Sequence, residues 1–137
     1  MRNFADAVAE PGVQHAPSPA ILRVLLVEDS GPDADLVLRA LRNTGFDLIC
    51  CRVQTADECR AALISESWDL LISDYSLPQF GAMEALRCLQ ERQLDVPFIV
   101  VSGTIDEESA VTILRAGAHD FVTKQKLARL GPAMRRE

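Results

Sequence analysis

Hydrophobic positions along this chain change period in a regular rhythm. Residues 21–27 (Ile-Leu-Arg-Val-Leu-Leu-Val) form a nearly continuous aliphatic run, the pattern of a strand buried on both faces. Beyond Pro32, residues Leu36, Val37, Ala40 and Leu41 recur at helical spacing until Gly45 stops the helix. Residues 48–53 and 69–73 predict a second and a third strand, and the helix between them, 56–66, carries Cys59, Ala62 and Leu63 on one stripe. A turn containing Pro78 and Gly81 leads into a helix through Met83, Leu86 and Leu89. Residues 97–101 predict a fourth strand, after which Ser102-Gly103 precedes a helix through Ala110, Val111 and Leu114 that Gly117 ends. Residues 120–123 predict a fifth strand. Five strands alternating with helices predict an α/β fold, a parallel sheet with helices on both faces.

The two ends read differently. Residues 1–20 carry Pro11, Gly12, Pro17 and Pro19 with little sustained periodicity and read as a flexible leader, with a short helical turn at most around Phe4, Ala5 and Val8. The domain proper is expected over residues 21–137. Leu127, Leu130 and Met134 have helical spacing, but Gly131-Pro132 falls between them, which predicts a short turn and then a new helix starting near Pro132. So short a helix is marginal alone, and the expectation is a last helix cut short within a longer protein.

Composition narrows the function classes. With 48% hydrophobic and 25% charged residues the chain can bury one ordinary core, and 5% aromatics leave that core to Leu, Val, Ile and Ala. The net charge of −6, from 14 basic and 20 acidic side chains, argues against direct contact with a nucleic-acid backbone. No apolar stretch approaches the roughly 20 residues of a membrane span, and residues 1–20 lack the apolar stretch of a secretory signal. Cys50, Cys51, Cys59 and Cys88 have no C-x-x-C spacing, and the adjacent pair would point to opposite faces of a strand. Reduced thiols and a cytoplasmic location are expected.

The placement of the acids is more telling than their number. In an open parallel sheet, ligands bind beyond the carboxyl ends of the strands. Glu28 and Asp29 follow the first predicted strand, Asp74 the third, Ser102 and Gly103 the fourth, and Lys124 the fifth. Three neighbouring carboxylates repel one another without a counter-ion, and an all-oxygen acidic cluster suits Mg²⁺ or Mn²⁺. Lys124 would offer a point charge to a phosphoryl oxygen, Ser102 a hydroxyl, and Gly103 room for an incoming group. Asp74, directly before a turn, is the candidate nucleophile toward phosphorus, giving an acyl phosphate. Each group alone has a plainer reading. Asp74 suits a turn, Glu28-Asp29-Ser30 and Asp106-Glu107-Glu108 suit helix N-termini, Ser102-Gly103 suits a turn, and Lys124 suits a solvated surface. The functional reading rests on complementary groups standing at four of the five strand ends.

The segments LLVEDS (25–30), LLISDYSLPQFGAMEAL (70–86), FIVVSGTIDEESAV (98–111) and AGAHDFVTK (116–124) stand in the order and spacing found in receiver domains of two-component response regulators, which this sequence resembles through nearly all of residues 21–130. The resemblance implies a flavodoxin-like (CheY-like) doubly wound five-stranded sheet that accepts a phosphoryl group from the phosphohistidine of a histidine kinase or a histidine phosphotransfer domain. It implies that Asp74 is the phospho-acceptor and that Glu28 and Asp29 bind Mg²⁺ together with Asp74 and the backbone carbonyl of Ser76. Ser102 matches the hydroxyl position that turns toward the phosphoryl group, Lys124 the family's lysine, and Phe121 the aromatic whose rotation accompanies that movement. The resulting switch would be a two-state population shift.

The partners implied are a kinase and a linked or separate output domain. Output contacts and homodimerisation in this family commonly use the fifth strand and the last helix. Catalysis beyond self-phosphorylation and slow acyl-phosphate hydrolysis is not implied. Three features depart from the common pattern: Gln125 stands where many receivers have proline, Gly81-Ala82 replaces Asp-Gly, and Phe121 lacks a tyrosine hydroxyl. DYSLPQFGA and VSGTIDEESAV look most like bacterial receivers in multidomain sensor proteins joined to PAS, kinase or cyclase modules, although a stand-alone receiver acting by protein contact is the alternative. A phosphatase of the haloacid-dehalogenase type would need a second Asp where this chain has Ser76, and no G-x-G-x-x-G or Walker sequence is present.

Overall fold

The computed structural model describes residues 20–75, 80–103 and 107–135. The expected leader, Ala20 apart, lies outside these. β1 (Ile21–Val27), β2 (Asp47–Val53), β3 (Leu70–Asp74), β4 (Phe98–Ser102) and β5 (Asp120–Thr123) alternate with α1 (Gly31–Arg42), α2 (Ala56–Ser65), α3 (Ala82–Glu91) and α4 (Glu107–Ala116). A 3₁₀ segment, Lys124–Arg129, then runs into α5 (Leu130–Arg135). The strands form one parallel sheet in the order β2-β1-β3-β4-β5. The chain goes outward from β1 to β2 and returns to β3 on the other side, which makes the gap between β1 and β3 the topological switch point.

Why the strands read as continuous apolar runs is now visible. Successive side chains of β1, β3 and β4 enter opposite cores. Leu25, Val27, Leu71, Phe98 and Val100 pack on one face against Cys59, Leu63, Leu86, Leu89 and Ile113 of α2, α3 and α4. Val24, Leu26, Ile72, Ile99 and Val101 pack on the other face against Val37 and Leu41 of α1 and Leu130 and Ala133 of α5. The core is aliphatic in the main, as expected, but the two largest fully buried side chains among the described residues are Phe80 and Phe98. Gly45 and Gly117 follow α1 and α4 with φ of +92° and +129°, a left-handed backbone that glycine adopts without Cβ strain.

Boundaries differ from the sequence expectation at β3, β4 and the last helix. β3 reaches Asp74 and β4 reaches Ser102, because pairing of Asp74 with Val101 and of Ser102 with Thr123 extends the ladder past the apolar run. The last helix begins at Leu130, before the Gly-Pro pair. Pro132 is tolerated there because first-turn N–H groups have no partner within the helix, and buried Leu130 anchors the start against α1.

Candidate functional site

Register brings the carboxyl ends of the central strands to one rim, since Val27 pairs with both Val53 and Ser73, Asp74 with Val101, and Ser102 with Thr123. Glu28 is the first residue past β1. Its N–H donates to Val53 O at 3.1 Å, which continues the ladder by one residue and turns the side chain inward, fully buried. Glu28 Oε2 accepts the Ser30 N–H at 3.2 Å. Ser30 in turn caps α1, its hydroxyl accepting the Asp33 N–H at 3.3 Å. Capping of α1 therefore falls to the Ser30 hydroxyl and not to the Glu28 or Asp29 carboxylate. Asp29 is exposed and Asp74 is partly buried at the end of β3.

Lys124, directly after β5, reaches back across the rim. Its Nζ lies 2.8 Å from Asp33 Oδ2, 3.1 Å from Glu28 Oε1 and 3.3 Å from Asp74 Oδ2. Burial alone would lower the Lys124 pKa. The hydrogen bond to Asp33 and the charges of Glu28 and Asp74 outweigh it, so the group is held above its ordinary value as an ammonium. Glu28 shifts upward as well, because burial and the Asp74 charge disfavour its ionised form more than Ser30 and Lys124 favour it.

A cation fits this arrangement. Glu28, Asp29 and Asp74 each present a carboxylate oxygen, all within 4.8 Å of one another. Glu28 Oε1 is the buried side-chain oxygen that no hydrogen bond satisfies among the described residues, its contact with Lys124 being one of charge. Hard oxygen donors with an unsatisfied member suit Mg²⁺ or Mn²⁺. The upward shift at Glu28 gives a stability prediction with a definite sign. A carboxyl whose pKa is raised on folding adds stability below its unfolded value near 4.5 and loses it as pH rises through the folded value. Glu28→Gln should therefore be more stable than the wild type in EDTA at pH 7, with the advantage gone near pH 4. Urea melts at the two pH values check this, and added Mg²⁺ should stabilise only the wild type.

The remaining sequence candidates fall on the same rim or outside the described residues. Ser102 is buried at the end of β4, and the space a Cβ would take at Gly103 is open. Phe121, partly buried on β5, has its ring centroid 6.1 Å from that of Tyr75, the residue after Asp74. Ser76, expected to offer a carbonyl, lies outside the described residues. Gln125, flagged as a departure, donates its Nε2–H to Gly103 O at 2.9 Å and so ties the end of β5 to the loop after β4. The cysteines are free, as expected, and burial pushes the Cys50 and Cys59 thiols up to about 11 and about 12, which keeps them protonated.

Two residues were missed from sequence. Asp33 looks like ordinary first-turn acidic charge, and only the fold reveals Lys124 beside it. Tyr75 carries no signal beyond standing next to Asp74.

A sheet in this order, with its acidic groups and a lysine gathered at the switch point, is the flavodoxin-like arrangement. Residues 24–134 match the response regulator receiver domain family, and the chain belongs to it. It is 38% identical over 113 residues to the C4-dicarboxylate transport transcriptional regulatory protein DctD of Pseudomonas aeruginosa, covering 80% of this chain and 23% of DctD. It is 28% identical over 120 residues to the phosphate regulon transcriptional regulatory protein PhoB of the same organism, covering 82% of this chain and 52% of PhoB. The chain thus spans about half the length of PhoB and less than a quarter of DctD. The solved receiver domain of a signal transduction histidine kinase from Syntrophus aciditrophicus superimposes with a TM-score of 0.68 at 30% identity, covering 83% of this chain and 87% of that one. Among the described residues no helix is long and apolar enough to cross a membrane.

Proposed function

We propose that this domain takes a phosphoryl group from the phosphohistidine of a histidine kinase or histidine phosphotransfer domain onto Asp74, and that the phosphorylated form regulates a linked or separate output. The observation that carries the reading is Lys124 Nζ held within 3.3 Å of Asp74 Oδ2 and Glu28 Oε1, on the rim where Glu28, Asp29 and Asp74 converge. A divalent cation held by those three carboxylates would neutralise charge on the phosphoryl oxygens.

The chain's own groups do the rest. An Asp74 carboxylate oxygen attacks phosphorus, the P–O bond forms as the donor's P–N bond breaks, and the imidazole leaves with a proton. Lys124 pairs with a phosphoryl oxygen, and Ser102 supplies a hydroxyl from β4. Movement of Ser102 toward the phosphoryl group would free space for Phe121 to repack against Tyr75, which is how the change would reach the β5 face.

The test is direct. Acetyl phosphate or phosphoramidate with Mg²⁺ should add one phosphate to the intact protein, read by mass spectrometry. An unmodified mass would overturn the reading.

A further inference from the structure

Lys124 has three N–H donors and, among the described residues, three carboxylates around it, and these carboxylates are not equivalent. Glu28 and Asp74 belong to the group of acids that converge as cation ligands, whereas Asp33 does not. Asp33 nevertheless makes the shortest of the three contacts, 2.8 Å against 3.1 and 3.3 Å. It is also the most exposed of the three acids, at 37% against 0% and 14%, and it stands on the first turn of α1 and not on a strand end. The Asp33 backbone is held independently of its carboxylate, because its N–H donates to the Ser30 cap.

A divalent cation and the Lys124 ammonium therefore address the same two carboxylates, and like charges repel. We propose that Asp33 is a positioning residue: it gives Lys124 a carboxylate partner outside the ligand group, so that a divalent cation can take Glu28 and Asp74 while the ammonium stays at the rim. Without Asp33, Lys124 leans on Glu28 and Asp74 and competes with the cation for them. When a phosphoryl oxygen claims one of the three N–H donors, Asp33 is the partner released most cheaply, because it is the most open to water. Release at that point acts on the first turn of α1. This inference rests on the phosphorylation reading above.

The test is Mg²⁺ binding by calorimetry at about 0.15 M salt, where long-range charge effects are screened. It uses the full chain as wild type, Asp33→Asn, Asp33→Ala, Asp33→Glu, Lys124→Met and the Asp33→Asn/Lys124→Met double variant, with thermal melts to confirm folding. Asp33→Asn and Asp33→Ala should each weaken Mg²⁺ binding about fivefold, the size of one charge-assisted contact, and Asp33→Glu should restore most of it. In the Lys124→Met background the same Asp33→Asn change should alter binding by less than about twofold.

Equal losses in both backgrounds would overturn the inference, because Asp33 would then act as a distant charge on the cation. Unchanged binding in Asp33→Asn and Asp33→Ala would overturn it too. A wild type that binds Mg²⁺ and takes up phosphate while the Asp33 variants behave like it removes this inference alone. A wild type that does neither removes the phosphorylation reading and this inference with it.

Discussion

Asp74→Asn should take up no phosphate from acetyl phosphate or phosphoramidate in Mg²⁺, under conditions that convert the wild type. The substitution keeps the shape of the side chain at the end of β3 but replaces the anionic oxygen that attacks phosphorus with an amide. The Lys124 contact at 3.3 Å loses its charge partner, while Glu28 and Asp33 still hold the ammonium, so the fold should survive. Loss of a covalent nucleophile is expected to cost on the order of a thousandfold or more in rate, which is no detectable product in an ordinary assay. Near-wild-type uptake by Asp74→Asn would move the acceptor elsewhere. Retained uptake in excess EDTA would do equal damage to the proposed cation.

Phe98→Ala should produce the largest loss of stability of any single change considered. Phe98 is fully buried where β4 packs on the α2, α3 and α4 side of the sheet, among Leu25, Leu71, Val100 and Ile113. Truncation removes about 3–5 kcal/mol in such sites, a large share of the roughly 5–15 kcal/mol that keeps a domain folded. The backbone N–H of Phe98 donates to His119 Nδ1 at 2.9 Å, a contact the substitution leaves in place, so the effect isolates packing. Phe98→Leu, which keeps most of the apolar volume, should cost clearly less. Urea denaturation measures both, and a loss below about 1 kcal/mol for Phe98→Ala would mean that the site collapses around the gap.

What the sequence revealed follows from the physics of parallel sheets. Strands buried on both faces must read as aliphatic runs, and their carboxyl ends must share a rim, so Glu28, Asp29, Asp74, Ser102 and Lys124 could be assigned to one place before any coordinate was known. The register puts Asp74 and Ser102 on that rim, and Glu28, Asp29 and Lys124 lie close to Asp74 there. Asp33 was not legible because its role depends on where a lysine 91 residues away folds back. Alone, it is indistinguishable from acidic charge favoured by any helix N-terminus. The early start of α5 was hidden for a related reason: Gly131-Pro132 argues locally for a break, and only burial of Leu130 against α1 outweighs it. The contact between Tyr75 and Phe121 likewise arises from neighbouring strand ends and not from spacing along the chain.

The central claim is that these groups make Asp74 a cation-dependent phospho-acceptor, and locating the phosphate tests it most directly. Wild-type protein would be treated with phosphoramidate and Mg²⁺, then with borohydride, which reduces an aspartyl phosphate to homoserine, and the digest mapped by tandem mass spectrometry. The account predicts homoserine at position 74 alone, absent when EDTA is added before the donor. Phosphate on a serine, threonine or histidine, or a homoserine at Asp29 or Asp33 in place of Asp74, would contradict it.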